Sequence, residues 1–173
     1  MIDLINAFDF EGARLLLSQT RKIGVKVRKL KARAKMRGHP VIYCNDNFGE
    51  WRSDFRAVLE RCTADDKPAR DLIQSIAPEA EDFFILKPKH SAFYETALES
   101  LLEDLKVRRL VLCGIAGDGC IHSTATDAHM REYDVVVARD GTASQTAARN
   151  RIALQHLEQA KYATLCSVNR APF

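Results

Sequence analysis

The stretch Leu110-Val111-Leu112-Cys113-Gly114-Ile115-Ala116-Gly117-Asp118-Gly119-Cys120-Ile121-His122-Ser123-Thr124-Ala125 decides how this chain is read. Its apolar run breaks at glycines and restarts as a helix of small residues with a thiol in the first turn. A buried strand, a glycine turn and a helix form the repeating unit of a parallel sheet. That unit brings the turn to the carboxyl edge of the sheet, where such folds bind ligands. The start of the helix aims unpaired N–H groups and a partial positive charge at Cys120. Both effects are expected to favour thiolate over a free thiol of pKa about 8.5, and the same amides suit an oxyanion.

Further apolar runs lie on either side. They are Val41-Ile42-Tyr43-Cys44, Phe83-Phe84-Ile85-Leu86, Val135-Val136-Val137-Ala138 and Ala163-Thr164-Leu165-Cys166. None alternates with polar residues, as expected of strands covered on both faces. Between them the spacing predicts helices over 12–37, 52–62, 69–76, 95–106, 119–132 and 144–160, with Gly38 closing the first and Glu95 and Ser144 placed as caps or first-turn acids. Strands alternating with helices indicate an α/β fold with a parallel sheet. The 173 residues are expected to make one domain spanning 1–173, which buries ~70% of the surface of the unfolded chain. No repeat or linker interrupts it.

Composition excludes several classes. Five cysteines are an odd number without metal-type CxxC spacing, Met1-Ile2-Asp3 lacks a signal-peptide pattern, and no apolar run approaches the roughly 18 residues of a membrane span. A reducing cytoplasm is expected, with no membrane partner. Net charge is +3, and the positive excess lies in Arg21-Lys22, Lys26, Arg28-Lys29, Lys31, Arg33, Lys35 and Arg37. Val27, Leu30 and Ala34 occupy the other side of that helix, so the run reads as a solvated face and no nucleic-acid partner is expected. Gly114-x-x-Gly117-x-Gly119 departs from the dinucleotide pattern in order and position, and no cofactor is expected.

Cys44, Cys113 and Cys166 lie in or beside apolar runs and Cys62 in a charged helical stretch. All four read as inert. Asp3 reads either as a strand-end carboxylate in the ligand crevice or as a cap or turn acid. Lys87 and Lys89 both follow the Phe83–Leu86 run, where a lysine ordinarily serves solubility.

Three blocks carry a resemblance: Asp3-Leu4-Ile5-Asn6-Ala7-Phe8, Lys87-Pro88-Lys89-His90-Ser91-Ala92-Phe93-Tyr94-Glu95-Thr96-Ala97-Leu98, and Gly114 through Ala128. In order and spacing they resemble the signature blocks of the isochorismatase-like cysteine hydrolases, across nearly the whole chain. The resemblance implies a three-layer α/β/α fold with a six-stranded, mostly parallel sheet. It implies an Asp-Lys-Cys triad on Asp3, Lys87 and Cys120, selecting Lys87 over Lys89 because the family's lysine stands four residues before the Ser-Ala-Phe block. It also implies a cis peptide at Ile115-Ala116, with an oxyanion hole from the N–H groups of Ala116 and Cys120, and a homo-oligomer.

The chemistry is consistent with that set, since a thiol attacking a carbonyl needs a base, a cation and oxyanion donors. The expected activity is hydrolysis of a small molecule at a C–N bond of amide or ureide type through a thioester. The alternatives are vinyl-ether hydrolysis of isochorismatase type, which needs no thiol, and a non-catalytic scaffold of the same fold. Departures from the family fall at Gly117, often threonine there, at His90, often tyrosine, and at Ala7, often aspartate. Phe8, Trp51, Arg52, His90 and Phe93 are candidate substrate contacts, with Trp51 equally readable as core and His90 as a loop cap. His122 reads as structural, and Asp140 as ordering the loop after its strand. Nicotinamidases of the superfamily hold a divalent ion with an Asp-x-His pair and a further histidine. The corresponding segment here, Cys44 to Asp54, contains no histidine, so no catalytic metal is expected and the Asn45–Gly49 run reads as a turn.

Overall fold

Short apolar runs pair into parallel ladders while longer amphipathic segments coil over them, which explains the order of elements. The structure, a computed structural model, describes residues 1–173. Its strands are β1 (Ile42–Asp46), β2 (Phe83–Lys87), β3 (Arg109–Ile115), β4 (Asp134–Ala143) and β5 (Thr164–Cys166). Its helices are α1 (Ala13–Met36), α2 (Phe55–Cys62), α3 (Arg70–Ser75), α4 (Leu98–Asp104), α5 (Cys120–Met130) and α6 (Ala147–Gln159), with a 3₁₀ turn at Val168–Arg170. No helix is long and apolar enough to cross a membrane.

The expected six-stranded sheet is observed as two parallel ladders, β1-β2 and β3-β4-β5. Ile2 joins them, bridging in parallel to Cys44 on β1 and to Gly114 on β3. Its N–H donates to Cys113 O at 2.9 Å, its carbonyl accepts from Ile115 N at 3.0 Å, and Asp3 N donates to Cys44 O at 2.9 Å. Ile2 thus occupies the central place between the ladders as a bridge.

Two apolar clusters lie on opposite faces of the ladders. Tyr43 and Cys113 join the first, with Leu16, Val27 and Leu30 of α1, Phe55 of α2 and Ile73 of α3. Their chain neighbours Cys44 and Leu112 join the second, with Leu102 of α4, Ile121 and Ala125 of α5, and Leu154 and Leu157 of α6. Successive side chains of a strand point to opposite faces, so this division sets three helices on each side of the strands.

Some local expectations are corrected. The basic run is not all solvated: the Lys31 side chain is buried, lies 2.7 Å from Asp82 and 3.0 Å from Glu79, and donates to Ala77 O at 2.7 Å. It fastens α1 to the segment ahead of β2. Thr146, not Ser144, caps α6 by accepting from Arg149 N. Glu95 lies two residues before Ala97, which takes the cap position of α4. Asp140 lies inside β4 and accepts from Val168 N at 2.7 Å, ordering the 3₁₀ turn rather than its own loop.

Candidate active site

Each element delivers one group to a common point. The Ile2 bridge carries Asp3 between β1 and β3, Lys87 is the last residue of β2, and Cys120 is the first residue of α5. The Lys87 ammonium lies 2.9 Å from Asp3 Oδ2 and 3.4 Å from Cys120 Sγ. It also donates to Lys89 O at 3.0 Å. Lys87 is 0% exposed and Asp3 5%, so both charges are held away from water and depend on each other. Lys89 contributes only its carbonyl to the cluster, and its side chain is exposed.

Burial raises Asp3 above the ordinary carboxylate value, against the opposing pull of Lys87. Burial also works against the Lys87 ammonium, but Asp3, Cys120 and Asp46 outweigh it and its pKa is raised. Cys120 corrects an expectation. Burial first and Asp3 second push its thiol up to about 12, and Lys87 offsets this only in part. The helix start favours thiolate locally, but burial of the sulfur and, after it, the carboxylate beside it act in the opposite sense. The site thus sets a raised carboxyl and a raised thiol side by side at the Lys87 ammonium.

The turn from β3 into α5 has the expected cis peptide at Ile115-Ala116. Within it, Gly117 N donates to Ala143 O, and Gly119 N and Ile121 N both donate to Ala116 O. The amides of Ala116 and Cys120 are not engaged by any turn, loop or side-chain acceptor.

Of the five candidate substrate contacts, only His90 has a polar contact with this cluster, its Nδ1 lying 3.7 Å from Cys120 Sγ. Phe8 is buried in the first apolar cluster. Phe93 is buried in the second, its ring centroid 5.7 Å from that of Tyr133, with the Arg131 guanidinium over it. Trp51 is 78% exposed, which removes its reading as core, and Arg52 is exposed as well. His122 turns to His156, with ring nitrogens 2.9 Å apart. Cys44, Cys62 and Cys113 are buried and Cys166 half-buried. Burial pushes the Cys44 and Cys62 thiols up to about 11.

Asp46 lies in the Asn45–Gly49 run read from sequence only as a turn. In the structure it stands beside Lys87 in the β1-β2 register, 3.7 Å from the ammonium, and its N–H donates to Asp3 Oδ1 at 2.7 Å. Asp46 Oδ1 also accepts from Phe48 N, closing the expected turn. A divalent ion on Asp46 would face the Lys87 ammonium and find no histidine, so these residues do not fit a metal centre. Two further contacts tie the His90 segment to α5: Ser91 Oγ donates to Asp127 Oδ2 at 2.6 Å, and Ala92 N donates to Thr124 Oγ1 at 3.0 Å. A cavity of about 580 Å³ lies elsewhere, lined by Met1, Ile42, Leu102, Leu110 and Leu112 and by none of the three converging residues.

Comparison with known proteins gives a consistent picture. Residues 1–170 match the isochorismatase domain model. The chain is 41% identical over 165 residues to YaaI, an uncharacterized isochorismatase family protein of Bacillus subtilis (strain 168), covering 95% of this chain and 90% of that one. It is 41% identical over 71 residues to the ureidoacrylate amidohydrolase RutB of Methylorubrum extorquens, covering 41% of this chain and 29% of that protein. Among solved structures, N-carbamoylsarcosine amidase from Thermoplasma acidophilum superposes with a TM-score of 0.76 at 26% identity, over 99% of this chain and 96% of the other.

Proposed function

The chain belongs to the isochorismatase family of hydrolases, and on that premise we propose that it cleaves a C–N bond of a small amide or ureide through a thioester on Cys120. The observation that carries this reading is the buried ammonium of Lys87, which touches both a carboxylate and a sulfur, at 2.9 and 3.4 Å. A buried cation between a base and a nucleophile keeps the pair charged as the proton moves between them.

Asp3 takes the thiol proton as the sulfur attacks the carbonyl carbon. The oxyanion that forms is held by the N–H groups of Ala116 and Cys120, which have no other partner in the turn. Asp3 passes its proton to the leaving nitrogen, the C–N bond breaks, and ammonia or an amine departs. Asp3 then deprotonates water, which attacks the thioester. The C–S bond breaks, the acid leaves, and the proton returns to sulfur. The raised pKa of Asp3 suits a group that must carry that proton between steps. The names of two similar proteins, an amidohydrolase and an amidase, favour amide or ureide substrates over ethers.

Ammonia release from a panel of amides and ureides tests the reading. Cys120→Ala is expected to abolish release, and Lys87→Met to lower it by about 10²-fold or more. Full ammonia release by Cys120→Ala would overturn the thioester, whereas no release by the unaltered protein together with vinyl-ether cleavage that survives Cys120→Ala would point to ether hydrolysis. A Cys120 no more reactive toward iodoacetamide than the buried cysteines would point to a scaffold.

A further inference from the structure

We propose that His90 is a second proton acceptor for Cys120, working from the solvent side of the sulfur while Asp3 works from the buried side. This rests on the reading of Cys120 as the nucleophile. His90 Nδ1 lies 3.7 Å from Sγ, within the reach of a hydrogen bond to sulfur, and the ring is exposed. Asp3 is held by Lys87 and the Asp46 amide and is only 5% exposed, so it meets solvent far less than the exposed His90 does. His90 presents Nδ1 to the sulfur and is itself exposed.

The step balances simply. The S–H bond breaks, its electron pair stays on sulfur, and the proton binds Nδ1 of a neutral imidazole. The result is a thiolate–imidazolium pair whose proton can then exchange with water. The placement of His90 is built into the fold: Ser91 is hydrogen-bonded to Asp127 and Ala92 to Thr124, both on α5, the helix that begins with Cys120. The charged groups facing this pair are Lys87 of β2 and Asp3 across the sulfur, Asp46 of β1 behind Lys87, Asp127 of α5 behind Ser91, and the exposed Lys89 beside it in the chain. Lys87 stabilises the thiolate end of the pair, whichever group took the proton.

Alkylation of Cys120 by iodoacetamide, followed across pH by peptide mass spectrometry with Cys166 as internal reference, tests the assignment without any substrate. In the unaltered protein the rate is expected to rise with pH through an inflection that depends on His90. His90→Gln is expected to remove that inflection and slow alkylation at pH 7.5 by about tenfold. In Asp3→Asn the histidine-dependent inflection should persist, and in the double variant it should be lost. Thermal melting checks that the Asp3 variant is folded. If it is not, His90→Gln alone decides, because His90 is exposed and its replacement leaves the core intact. A pH curve unchanged by His90→Gln would overturn the proposal. If the curve behaves as expected but no amide or ureide is hydrolysed, the proposed reaction falls and the role of His90 stands. Hydrolysis with an unchanged curve removes only His90.

Discussion

A Cβ on Gly114 would stand 2.0 Å from the carbonyl oxygen of Ile2, the residue that sets Asp3 in place. Gly114 has φ +127, a conformation that residues with a side chain rarely adopt. Gly114→Ala must therefore push Ile2 off β3 and carry Asp3 away from Lys87. The variant is expected to lose about 2 kcal/mol or more of stability and most of its activity. Thermal melting and ammonia release check this, and an unchanged melt with full turnover would refute it.

The Lys31–Asp82 pair is the main buried charge contact outside the site, at 2.7 Å with side chains 6% and 2% exposed. Burial opposes the Asp82 charge, but the Glu79 amide, Lys31 and Lys35 outweigh it and hold the carboxyl below its ordinary value. Asp82→Asn is expected to cost about 2 kcal/mol at pH 7, because it leaves Lys31 underpaired. A folded pKa below the unfolded value of about 3.9 means the contribution is complete above that pH and lost as pH falls through the folded value. The gap in Tm between the two proteins should hold from pH 8 to 5 and narrow only below about pH 4.

Asn150 occupies the space a side chain at position 117 would need, its Oδ1 lying 2.0 Å from the position of a Gly117 Cβ. Asn150 Nδ2 donates to Thr142 O at 3.1 Å, and Ser144 Oγ donates to Asn150 Oδ1 at 3.2 Å. Gly117→Thr should destabilise the chain and Asn150→Ala should relieve it. A double-mutant cycle is expected to give a favourable coupling of about 1–2 kcal/mol. Additive effects would show that the two positions do not compete for space.

The cavity ahead of the Ile2 bridge is walled by Ile42 of β1 and Leu110 and Leu112 of β3, and the Met1 amine already donates to Ile42 O at 2.8 Å. Four alternating β-branched residues added before Met1 should pair with both strands. Each buried side chain contributes roughly 1.5–3 kcal/mol against roughly 1–2 kcal/mol of ordering. A rise of several degrees in Tm is expected, with no rise from a Gly-Ser extension of equal length.

The apolar runs and amphipathic segments were readable because strand and helix periodicities are written within a few residues. β4 extends past its predicted end at Ala138 through Arg139-Asp140-Gly141, which reads as a turn locally, because β3 shifts register between Leu112 and Gly114 and goes on pairing with it. The Asp-Lys-Cys set was reached through resemblance, since nothing local distinguishes Lys87 from Lys89. Asp46, Asn150 and the contact between His90 and Cys120 depend on the register of strands and the seating of loops. No window of sequence contains those.

The order of layers and the strand–turn–helix that carries Cys120 follow from the amino-acid sequence alone, because they depend on neighbours in the chain. The protonation of the sulfur does not. The helix start argues for thiolate, and burial of the sulfur first and Asp3 second, both brought about only by the fold, push the thiol up instead. Electrostatic energies depend on distance and burial in space, and both are properties of the tertiary structure.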